Sequence, residues 1–96
     1  MGQFTDIKQI LEHLKPELVE KYHIQTIGLF GSVVSDDFYP ISDIDVIVEF
    51  DKPVGAEFID LADYLELKLN RKVDLVSKKG IRDKYLKAIE REIVYV

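Results

Sequence analysis

Asp43 and Asp45 stand two residues apart in a run of β-branched and apolar residues. A strand alternates its side chains, so both carboxylates project from one face. Adjacent carboxylates repel unless water screens them or a cation lies between them. Hard oxygen ligands of this kind suit Mg2+, which takes one or two carboxylates, several waters and substrate phosphates. A pair of such ions can clamp the attacking and leaving oxygens of an in-line phosphoryl displacement. Taken alone, an Asp-x-Asp pattern is more often the solvated face of an edge strand than a metal site.

Two neighbouring features shift that balance. Gly31-Ser32 closes an apolar run and opens a short helical turn. Gly lets the backbone come close or take a positive φ. Ser then offers a hydroxyl and an N–H at a helix start, where anions bind. An ordinary turn with a Ser cap has the same two residues. The second feature is Asp74, which interrupts the short strand Val73-Asp74-Leu75-Val76. A buried, unpaired Asp is costly, so it needs a metal, a cation or open solvent. If this strand lies beside the first pair, Asp74 is a third acidic group in one cluster.

The elements that would position these groups are legible in the pattern. Phe4, Ile7, Ile10, Leu11 and Leu14 recur at helical spacing, with Thr5 as N-cap. Pro16 ends that helix and starts a second short piece to Tyr22. Ile24 to Phe30 reads as a strand and Asp43 to Phe50 as another, with Ile44, Val46, Val48 and Phe50 on one face. Glu57 to Asn70 is an amphipathic helix whose apolar stripe is Phe58, Leu61, Ala62, Leu65 and Leu69. Val73 to Val76 forms a short strand. Ile81 to Arg91 forms a last helix with Ile81, Tyr85, Ala88 and Ile89 inward, and Ile93 to Val96 a terminal strand. The order predicts an α+β domain, a small mixed β-sheet flanked by helices.

Composition narrows the function classes. Ninety-six residues, numbers 1–96, are the size of a single domain. Without Cys there is no disulfide and no thiolate metal site. No apolar run is long enough to cross a bilayer and no segment resembles a signal peptide, so a cytoplasmic location is expected. The net charge of −5 argues against tight unaided nucleic-acid binding. The charge is also uneven. Residues 1–70 hold five basic and 14 acidic residues, whereas residues 71–96 hold eight basic and four acidic. Lys78, Lys79 and Arg82, directly after the Asp74 strand, are candidates to offset triphosphate charge or to meet an acidic patch on a partner.

Taken together these residues resemble the minimal nucleotidyltransferases of the DNA polymerase β superfamily. The shared spacing is Gly31-Ser32, the ten residues 33–42, then Asp43-Ile44-Asp45. Leu29-Phe30 before the Gly, Ser42 before the first Asp and Arg71-Lys72-Val73-Asp74-Leu75-Val76 fit as well. The resemblance implies a polymerase β-like nucleotidyltransferase fold with ATP as substrate and Mg2+ as cofactor, two ions being the expected number. It implies that Gly31, Ser32 and Ser42 bind the nucleotide and that Asp43, Asp45 and Asp74 are the catalytic metal ligands. Proteins of this length resemble the antitoxins of toxin–antitoxin pairs whose partner is a HEPN-domain RNase. The implied reaction moves AMP from ATP to a hydroxyl, a Tyr, of that toxin.

One stretch departs from the family. Where it often reads Gly-Ser-x-Ala-Arg-Gly, this chain has Val34, Ser35 and Asp36 in the last three places. The absent Arg motivates an alternative, a module that keeps the fold and neutralises its toxin by binding alone. A small-molecule acceptor such as an aminoglycoside fits less well, because such enzymes carry a further substrate-binding domain. His13 and His23 lack metal-like spacing, and the tyrosines are scattered packing residues.

Overall fold

A computed structural model describes residues 3–34 and 43–96. Seven principal elements follow one another: α1 (Gln3–Tyr22), β1 (Ile24–Phe30), β2 (Ile44–Phe50), α2 (Ala56–Leu69), β3 (Val73–Ser77), α3 (Asp83–Ile89) and β4 (Val94–Tyr95). Short 3-10 turns occupy Gly31–Val33, Lys78–Gly80 and Glu90–Glu92. The strands form one mixed sheet in the order β3-β2-β1-β4. β2 runs antiparallel to β1 and parallel to β3, while β4 runs antiparallel to β1. This is the α+β architecture that the sequence pattern predicts. Among the described residues, no helix is long and apolar enough to cross a membrane.

The alternation of β2 decides what each face of the sheet does. Ile44, Val46 and Val48 are fully buried and join a core with Leu11 and Leu18 of α1 and Leu61 and Leu65 of α2. Asp45, Ile47 and Glu49 therefore turn to the opposite face. Ile47 is buried but stands outside that core, which marks a second, thinner layer. The chain from Lys78 to Ile93 supplies it. It must pass from β3 at one edge of the sheet to β4 at the other, and none of its side chains joins the α1–α2 core. An ideal Cβ added to Gly28, the register partner of Ile47, would lie 2.7 Å from Ile93 Cγ2. Gly28 is thus the site of close approach between sheet and C-terminal segment.

Several expected boundaries move. α1 is one continuous helix, with Thr5 and Pro16 both inside it. Pro16 removes one backbone donor, yet it is exposed, so water can serve the carbonyl left behind. Leu11 and Leu18, buried on either side of it, hold both halves against the sheet. The last helix is shorter than expected and gives way to a 3-10 turn at Glu90. Tyr85 and Ala88 do not face inward: both are exposed, and Leu86 and Ile89 are the half-buried pair. Helix α2 ends as its composition predicts, on Asn70 in the left-handed region at φ 54°. The Val73 N–H donates to Glu66 Oε2 at 3.0 Å, tying the start of β3 to α2. Strand β4 is fixed by the Val96 N–H donating to the Ile27 carbonyl, 2.9 Å, and by Lys15 Nζ donating to the Val96 carbonyl, 2.7 Å.

Candidate active site

The carboxylates meet because of strand register. Asp45 on β2 pairs directly with Asp74 on the parallel neighbour β3. Side chains in register share a face, so the two carboxyls sit side by side. Asp43 is two residues before Asp45 and projects the same way, exposed at the entrance to β2. The structure thus brings Asp43, Asp45 and Asp74 to one end of one sheet face, the face opposite the α1–α2 core.

The surroundings of Asp45 alter its chemistry. They push its pKa up from 3.8 to about 6. Partial burial is the largest cause, followed by the negative charges of Asp74 and Asp43 and by a hydrogen bond with Asp74. A proton shared between neighbouring carboxyls relieves their repulsion, and a divalent cation relieves it more fully. The donor set is all carboxylate oxygen, which fits a hard ion such as Mg2+. Among the described residues no three acidic or imidazole side chains are already gathered around one point.

Across β2 from Asp74 lies the end of β1. Phe30 pairs with Asp45, and the chain then turns through Gly31–Val33. Gly31 has φ +74°, in the left-handed region that favours glycine. A Cβ there would overlap Asp45 Oδ2, so the turn lies against the carboxylate with no room for a side chain. Two independent constraints therefore demand glycine at this position. Buried Val33 anchors the turn in the core, and the Val34 N–H donates to the Gly31 carbonyl at 3.1 Å. Ser32 is half-buried on this turn, one residue from the glycine that touches Asp45. Ser42, the remaining expected nucleotide contact, lies outside the described residues, as do Ser35 and Asp36.

Two cations need comment. Lys78, one candidate for offsetting phosphate charge, sits at the opposite end of β3 from the carboxylates. Its Nζ lies 3.9 Å from Glu49 Oε1 and 5.7 Å from the centre of the Tyr95 ring. It ties the turn after β3 to β2 and β4. Lys72 is better placed and the motif reading gave it no role. Its carbonyl accepts the Ile44 N–H at 2.9 Å, which sets it beside Asp43. By alternation Lys72 shares the face of Asp74. The signal was parity: a Lys two residues before a strand Asp lies on the same side.

Comparison with known proteins shows the family and the fold. A nucleotidyltransferase domain model matches residues 11–96. The chain is 40% identical over 97 residues to protein adenylyltransferase MntA of Thermococcus cleftensis, covering all of this chain and 98% of that protein. It is 42% identical over 100 residues to a candidate protein adenylyltransferase of Methanocaldococcus jannaschii, with both chains fully covered. Among solved structures, a candidate minimal nucleotidyltransferase superposes with a TM-score of 0.76 at 24% identity, covering 97% of this chain and 98% of that one. A complex of a tri-AMPylated Shewanella oneidensis HEPN toxin with its MNT antitoxin gives a TM-score of 0.66 at 23% identity, over 92% of this chain and 70% of that chain. At these identities the structural likeness is one of fold.

Proposed function

The chain belongs to the nucleotidyltransferase domain family, and from that premise we propose that it is a protein adenylyltransferase acting as the antitoxin of a HEPN-domain toxin. The observation that carries this reading is the register of Asp45 with Asp74, beside a turn that only glycine allows. The relatives' names supply the acceptor class. One relative at 40% identity is named a protein adenylyltransferase, and one structural neighbour is an antitoxin bound to an AMPylated toxin.

In this reading Gly31, Ser32 and Ser42 receive the β- and γ-phosphates of ATP. With no Cβ between the Gly31 turn and Asp45, phosphates held by the turn would lie beside the carboxylates. Asp43, Asp45 and Asp74 hold Mg2+, with two ions the expected number. When bound, Mg2+ neutralises phosphate charge and polarises the oxygens around the reacting phosphorus. Asp74, on the edge strand, takes the proton from the acceptor hydroxyl. The acceptor oxygen forms a bond to the α-phosphorus, the bond from that phosphorus to the bridging oxygen breaks, and pyrophosphate leaves. The protein's contribution is positioning and charge compensation. ATP places the reaction in the cytoplasm.

The test is direct. Incubation with Mg-ATP and the HEPN-domain toxin that this reading assigns as its partner should raise the toxin's intact mass by adenylate units and abolish its RNase activity. The Asp43→Ala/Asp45→Ala variant should do neither while still folding. A double variant that protects cells as well as the parent would show neutralisation by binding alone, the alternative that the changed Ser35-Asp36 segment suggests.

A further inference from the structure

The Lys78–Ile93 layer does more than cover the sheet. It lies on the same face as Asp43, Asp45 and Asp74, and its outer side is unlike the rest of the molecule. Tyr85 is 53% exposed on α3, at a shallow concavity that it lines together with Arg82, Lys84 and Ala88. Among the described residues, no acidic residue lines that concavity. From Lys78 to Glu92 the chain holds six basic and three acidic residues, against a molecule of net charge −5. Helix α2, on the other face, carries four acidic residues and one basic residue. Tyr and Arg are residue types enriched at binding hot spots, and here Tyr85 stands exposed beside Arg82.

We propose that the α3 surface centred on Arg82, Lys84 and Tyr85 docks an acidic face of the protein that receives the adenylate. The inference rests on the transfer reading above, since it takes the acceptor protein as the occupant. Charge selects that occupant: cations around an apolar ring call for carboxylates around an apolar surface. Position selects it too, because a protein seated on α3 shares the sheet face with the carboxylates and reaches them without crossing the acidic α1–α2 layer. RNA is disfavoured by Asp83, Glu90 and Glu92 on the same segment and by the three site carboxylates on the same sheet face.

The experiment measures the affinity of the full chain for the purified toxin by calorimetry, without ATP. Lys84→Glu/Tyr85→Ala should weaken binding about tenfold or more, and the parent affinity should fall as salt is raised. Affinity for a non-hydrolysable ATP analogue should stay unchanged in that variant, since neither residue touches the site. Ile59→Ala/Leu67→Ala on the outward side of α2 serves as the comparison and should bind the toxin normally. The proposal is overturned if the α3 variant binds as tightly as the parent, or if the α2 variant is the one that weakens. It is equally overturned if the α3 changes abolish self-association or RNA binding instead. Normal docking without adenylate transfer would refute the transfer reading alone.

Discussion

At the scale of single residues, the site depends on Gly31 and Asp45 fitting against each other. Gly31→Ala puts a Cβ into the Asp45 carboxylate and forces a residue with a side chain to hold φ +74°. The expected cost is about 1–3 kcal/mol of folding stability, read by chemical denaturation, together with loss of nucleotide binding. Asp45 gives a pH signature. Its carboxyl is raised from 3.8 to about 6, so the folded chain holds that proton more tightly than the unfolded chain does. The resulting stability is present below about pH 4 and is lost as pH rises through about 6. Melting temperatures of the cation-free protein should therefore fall across that window relative to Asp45→Asn, which cannot titrate. Adding Mg2+ above the window should restore the parent and leave the Asn variant little changed. A parallel pH course for the two proteins would show that Asp45 is not under this strain.

At the scale of elements, packing outweighs local propensity. Proline inside α1 costs up to about 3 kcal/mol relative to alanine. The buried anchors Leu11 and Leu18 offset that cost. Pro16→Ala should raise stability by about 1–3 kcal/mol, because the Glu12 carbonyl regains a backbone donor; no gain would mean that the helix is already distorted to accommodate the ring. Leu65, fully buried between α2 and the sheet, should cost about 2–5 kcal/mol when truncated to Ala. Both changes are measurable by urea denaturation.

These two helices also show what a sequence can convey. The α2 stripe and its Asn70 end follow from a period of 3.6 and a residue type that tolerates positive φ, both local facts. The strand alternation that separates Ile44, Val46 and Val48 from Asp45 is equally local. The continuity of α1 through Pro16 is not, because it depends on what Leu11 and Leu18 touch. The exposure of Tyr85 and Ala88 is not local either, since a seven-residue helix over a half-covered sheet has too few turns for its spacing to mark the inner face. The pairing of Asp45 with Asp74 lies between the two cases. Spacing places each on a strand, but only the parallel register makes them neighbours.

At the scale of the whole molecule, charge is sorted by layer. The α1–α2 layer covers one face and is acidic on its outside. The other face carries three carboxylates at one end and the more basic Lys78–Ile93 segment across it. On the proposed reading a nucleotide and a protein acceptor approach the same face, one by the Gly31-Ser32 turn and the other over α3. The central claim is that Asp43, Asp45 and Asp74 transfer an adenylate from ATP to a protein. It is tested most directly by following the label from ATP carrying radioactive phosphorus at the α or the γ position. The account predicts that α-label passes to the toxin and γ-label does not, and that Asp45→Asn and Asp74→Asn each abolish the transfer while remaining folded. Labelling from the γ position, or full α-labelling by the Asp74→Asn variant, would contradict it.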